Sequence, residues 1–118
     1  MTLDEYFSGN TFARQLFDTL LAAANTFGVV ELRVGKSQVA LRRDKTFAWA
    51  WMPGKYLHGK VAPLVLSLAL HHRDPSQRWK EVVEPYPGHF THHLELYAVK
   101  DIDAEVCTWL KEAWEEAG

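Results

Sequence analysis

Five of the six histidines lie between residues 71 and 93, and four of them stand in adjacent pairs, His71-His72 and His92-His93. Imidazole changes charge near neutral pH, binds metals and moves protons, so this crowding has more chemical capacity than anything else in the sequence. Arg42, Arg43 and Lys45 form a second group. Fixed cations beside imidazoles make a seat for a phosphate or a carboxylate. Neither group is accompanied by a glycine-rich phosphate loop, a Gly-x-Ser-x-Gly elbow or a cysteine set.

Both histidine pairs sit at the ends of segments with strand periodicity. Leu64, Leu66, Leu68, Leu70 and His72 share one face of a strand, and Phe90, His92, Leu94 and Leu96 share one face of another. Neighbouring residues on a strand point to opposite faces, so neither pair chelates an ion by itself. If the two strands are antiparallel neighbours, His72 approaches His92 on the leucine-rich face and His71 approaches His93 on the other. The turn Arg43-Asp44-Lys45 closes the strand of Val39 and Leu41 and opens that of Phe47, Trp49 and Trp51. This carries the cations to the same end of the sheet, with His89 in the loop feeding the last strand. The expected ligand-binding edge is Arg42, Arg43, Lys45, His72, His92 and His93.

The remaining elements follow from period and punctuation. Thr2 and Glu5 form a capping-box pattern for a short helix ended by Ser8-Gly9. Phe12, Leu16, Leu20, Ala23 and Phe27 recur at helical spacing, with Gly28 placed as a left-handed C-terminal residue. Val30, Leu32 and Val34 form a first strand before the Gly35-Lys36 turn, and 52–62 reads as a loop. Arg73 to Gly88, with three prolines, reads as mostly connection, with a short strand or helical turn at Trp79 to Val83. Asp101 is expected to cap a terminal helix with the stripe Ile102, Val106, Trp109, Leu110 and Ala113. The result is one α+β domain over 1–118: an antiparallel sheet of about five strands with the N- and C-terminal helices on one face. Trp49 and Trp51 are expected in the core. On the opposite face they would need a cleft or a second copy of the chain as cover.

Each chemical reading has a plainer competitor. A histidine at a strand end is commonly a half-exposed residue bonded to a loop. No metal is expected, because the spacings match no zinc helix motif, and His89 and His92 with Glu84 is the nearest set on offer. Ser37 and Thr91 lack an activating context, and Glu81, Glu84 and Glu95 read as solvated carboxylates, so catalytic residues are unknown. Cys107 reads as a small filler on a helix, in keeping with a reducing cytoplasm. The net charge of -2 disfavours nucleic acid, and the apolar fraction of 47% excludes disorder. Val61 to Leu70, the longest apolar stretch, falls short of the roughly 20 residues that cross a bilayer. The acidic segment Met1 to Tyr6 has no signal-peptide pattern, so a soluble cytoplasmic protein without cofactor is expected.

Four segments carry a resemblance: Val34 to Ala48, Trp79 to Glu84, Phe90-Thr91-His92-His93-Leu94-Glu95-Leu96, and Asp103 to Ala113. Together they resemble the bacterial domain of unknown function numbered 5655, along nearly the whole chain. The resemblance implies a small cytosolic domain and no activity to carry over. Longer members that join it to nuclease-like modules imply an accessory role near nucleic acid. Asp44 stands where similar sequences commonly have glycine. The sequence therefore points to a noncatalytic module for a small anionic or polar ligand or a protein partner. A metal-assisted hydrolase using the histidines and a nucleic-acid accessory module are the alternatives.

Overall fold

A computed structural model describes residues 1–118. The chain opens with helix α1 (Leu3–Tyr6), started by a complete capping box: Thr2 Oγ1 accepts the Glu5 N–H at 3.1 Å and the Glu5 carboxylate accepts the Thr2 N–H at 2.9 Å. Helix α2 (Thr11–Asn25) buries Ala13, Leu16, Phe17, Leu20 and Ala24, one continuous stripe. The strands are β1 (Glu31–Val34), β2 (Val39–Arg42), β3 (Thr46–Trp51), β4 (Leu64–Leu70), β5 (Glu81–Tyr86) and β6 (His89–Leu96), and helix α3 (Ala104–Glu116) ends the chain. They form one antiparallel sheet in the order β1-β2-β3-β4-β6-β5, with both long helices packed on one face.

The sheet has six strands, one more than the sequence suggested. The added strand is β5, at the sheet edge, where its Pro85 removes no ladder hydrogen bond that an interior strand would need. A register shift between Val83 and Tyr86 absorbs the proline. Because β6 lies between β4 and β5, the expected antiparallel neighbours β4 and β6 are indeed paired, Leu64 with Leu96 through Leu70 with Phe90.

Two helix boundaries differ from expectation. Asp103, not Asp101, caps α3, accepting the Val106 N–H at 3.1 Å, while Asp101 accepts the N–H groups of Tyr97 and Ala98. Helix α2 ends at Asn25, and Gly28 serves packing rather than a left-handed cap. At φ 157°, a Cβ there would lie 2.7 Å from the Trp114 ring.

The core face is set by β3. Ala48 and Ala50 point towards the helices and are fully buried, in register with Leu66 and Leu68 of β4 and with Val39 and Leu41 of β2. Small side chains there leave room for α3 to approach the sheet. Alternation then sends Trp49 and Trp51 to the opposite face, where no helix lies and both are half-buried. Their expected place in the core is overturned by this phase.

Candidate functional site

The histidines divide into three environments. His92, opposite Leu68 on the helix-covered face, is fully buried. Its Nε2 accepts the Asp74 N–H at 2.9 Å, so Nδ1–H donates to the Phe90 carbonyl at 3.2 Å and the ring is neutral. Burial lowers its pKa, against the opposing pull of the Phe90 and Leu68 carbonyls and Asp74. The Trp79 ring lies 4.8 Å away, centroid to centroid. Both ring nitrogens are committed, so this histidine holds structure.

Asp74 completes that arrangement. Its carboxylate accepts the indole N–H of Trp79 at 2.9 Å, that of Trp109 at 3.2 Å and the Ser76 N–H at 3.0 Å. Burial raises its pKa, but these donors outweigh burial and hold it below the ordinary range. The sequence reading passed over Asp74, although Asp-Pro-Ser is a recognisable Asx-turn signal.

His93 points to the uncovered face, opposite Ser67. Trp51 Nε1–H donates to Ser67 Oγ at 3.0 Å, and Ser67 Oγ shares a hydrogen bond with His93 Nδ1 at 2.7 Å. Burial lowers the His93 pKa, with Glu81 opposing. A serine and a histidine this close resemble an activated nucleophile, but Ser67 is only 3% exposed and sits mid-strand, its neighbours' amides facing the β3 and β6 ladders. No free pair of N–H groups is left for an oxyanion. The chain Trp51, Ser67, His93 satisfies polar groups under the tryptophan. Ser67 had no sequence signal, because nothing local marks its cross-strand partner.

His71 and His72 lie beyond the end of β4 and are exposed. His72 does not meet His92 face to face; it turns to Glu112 of α3 at 3.8 Å. His71 meets His89 rather than His93, with ring centroids 5.5 Å apart, because the register places His93 three pairs further into the sheet than Phe90. His89 in turn stacks on Tyr86 at 4.2 Å across the Pro87-Gly88 turn. Glu116 accepts the His71 N–H at 3.0 Å, with its other oxygen 3.6 Å from Nδ1.

The basic hairpin docks on the C-terminus of α3. The N–H groups of Asp44 and Lys45 both donate to the Ala117 carbonyl at 3.2 Å. The Arg43 guanidinium lies 3.8 Å over the Trp114 ring and donates to the Trp114 carbonyl at 3.3 Å, a cation where the helix dipole favours one. Arg42 donates to Thr46 Oγ1 at 2.8 Å and to the Asp44 carbonyl at 3.4 Å. Lys45 is the member of the trio whose side chain has no partner in the chain, and it lines a cleft of about 550 Å³. His71, His89, Tyr86, Trp49 and Thr91 share that lining, and Glu116 and Ala117 close its helix side. The fold therefore gathers Lys45 with His71 and His89, leaves His72 and His92 elsewhere, and commits Arg42 and Arg43 to the hairpin.

The family described as Domain of unknown function (DUF5655) matches residues 3–117. The chain belongs to this family. No curated protein and no solved structure matches it. The DUF5655 match thus spans every element that builds the cleft, from the β2–β3 hairpin to the end of α3. No helix of this family member is long and apolar enough to cross a membrane. No three His, Cys, Asp or Glu side chains converge in an arrangement that could hold a metal ion.

Proposed function

We propose that this domain is a noncatalytic binding module that takes a small anionic or polar ligand in the cleft at the end of the sheet. The observation that carries this reading is the convergence of Lys45 from the β2–β3 hairpin, His71 from just past the end of β4 and His89 from the start of β6 on one concavity. Lys45 offers an ammonium with no carboxylate paired to it, and the two imidazoles add ring N–H donors. Glu116 is already engaged by His71, which limits its repulsion of an anion. Trp49, Tyr86 and Phe90 supply apolar walls against which the body of a ligand would pack. Arg43 stabilises the hairpin that presents Lys45 instead of touching the ligand.

The test is thermal stabilisation of the full chain by inorganic phosphate, a nucleoside monophosphate and small carboxylates. At least one probe is expected to raise the unfolding temperature and to be recovered chemically unchanged. Lys45→Ala and His89→Ala should each abolish the shift while the unliganded protein keeps its melting temperature. No shift with any probe, or full shifts in both variants, would overturn the reading.

A further inference from the structure

The uncovered sheet face carries Trp49, Trp51 and Val65 at its centre, and its charges are not evenly spread. Residues 33–73 hold eight of the thirteen Lys and Arg but one of the fifteen Asp and Glu, and the rest of the chain holds five and fourteen. Of these cations Arg33 and Arg42 stand on β1 and β2 of this face, while Arg43 packs on Trp114, Lys55 on Tyr6 and Arg73 donates to the Val82 carbonyl of β5; β6 and β5 bring Glu95, paired with Lys80 at 3.2 Å, and Glu81 to the other side. One row crosses all six strands on this face: Arg33, Ala40, Trp49, Ser67, His93, Glu81. It begins with a cation and ends with a carboxylate, both exposed. Arg33 reaches only Glu31 of its own strand, at 3.4 Å, and Glu31 also stands across from Arg42 in the register. Glu81 makes no ion pair within the chain.

We propose that this face is the contact surface of a symmetric homodimer, two sheets packed face to face. The charge pattern itself selects a second copy as the partner and fixes the symmetry axis. A two-fold axis running along the strands, between β3 and β4, turns the row onto itself in reverse. Arg33 of each copy then lies over Glu81 of the other, twice per dimer, and Ala40 lies over His93. The tryptophans of each copy fall against the β4–β6 half of its partner. An axis across the strands would instead set Arg33 over Arg33 and Glu81 over Glu81, which like-charge repulsion disfavours. Aligned packing of two twisted sheets, about 10 Å apart and within about 30° of parallel, is a geometry that antiparallel sheets adopt readily. Six strands about 4.8 Å apart give a face roughly 24 Å wide. That is a footprint near the small end of specific interfaces, so the dimer is expected to be reversible. The inference is independent of the ligand reading, although Trp49, Ala69 and Thr91 belong both to this face and to the cleft.

The test is sedimentation equilibrium of the full chain across a concentration series at low salt. A monomer–dimer equilibrium that weakens with salt is expected. Arg33→Glu and Glu81→Arg are surface substitutions expected to leave the circular dichroism unchanged and to weaken self-association at least about tenfold each. An equimolar mixture of the two variants restores complementarity at both ends of the row, so a heterodimer should form. A parent that stays monomeric at every concentration, variants that dimerise as the parent does, or a mixture that stays monomeric would each overturn the proposal.

Discussion

The backbone N–H of Asp74 donates to Nε2 of His92 at 2.9 Å, tying the connection after β4 to the middle of β6. The same Asp74 holds the indoles of Trp79 and Trp109 through its carboxylate, so one residue joins the connection, the sheet and α3. A histidine that first looked like chemistry is the acceptor on which this clasp closes.

His92→Phe keeps the volume roughly similar and removes the acceptor. The part-buried Asp74 N–H is then unsatisfied, and the Phe90 carbonyl loses its imidazole donor. A loss of about 2–4 kcal/mol in urea unfolding is expected. A change below about 0.5 kcal/mol would show that water or a backbone shift replaces the bond.

Stability should depend on pH with a definite sign. Burial lowers the His92 and His93 pKa values in the folded protein, so between those lowered values and the unfolded value of about 6.5 the unfolded chain binds more protons. Their contribution is fully present above about pH 6.5 and is lost as the pH falls towards the folded values. Asp74 acts further down: its contribution is present above about pH 3.9 and is lost below it as the carboxylate protonates. Urea midpoints measured from neutral to acid pH should fall in these two stages. The upper stage should shrink in His92→Phe, and a flat profile through the histidine range would contradict the assignment.

Arg43 and Lys45 should separate stability from binding. Arg43→Ala loses the stacking on Trp114 and the bond to its carbonyl, with an expected cost of about 0.5–1.5 kcal/mol, while any ligand shift persists. Lys45→Ala should leave stability within about 0.5 kcal/mol of the parent. Chemical denaturation with and without phosphate measures both, and equal effects of the two variants on stability would contradict the division of roles.

Gly28→Ala places a methyl group against the Trp114 ring, 2.7 Å from Cζ2, at a backbone angle that side chains rarely adopt. Overpacking of this kind is expected to cost about 1–3 kcal/mol in thermal or urea unfolding. Trp114→Leu should recover part of the loss, and no recovery would place the strain in the backbone alone.

Local pattern determined much of this protein. The capping box at Thr2 and Glu5, the stripe of α2, the alternation in β1 to β4 and β6, and the α+β class are all visible because period and capping are properties of neighbours in sequence. The antiparallel pairing of β4 with β6 and the gathering of the hairpin at the histidine end followed from the same logic. The register did not, and it decides the partners. Sliding the pairing sets His71 beside His89 instead of His93, and ending β4 at Leu70 frees His72 to turn towards Glu112. β5 stayed open between a short strand and a helical turn, because an edge strand tolerates a proline and polar residues that an interior strand rejects. The phase of β3 was equally open in the sequence, since both its alternating sets are apolar. Only the packing of α3 against Ala48 and Ala50 sends Trp49 and Trp51 outward. The sequence by itself determined which side chains have the chemistry; the tertiary structure decided which are already engaged. It commits both nitrogens of His92 to backbone partners and stacks Arg43 on Trp114, which leaves Lys45 facing the cleft beside His71 and His89.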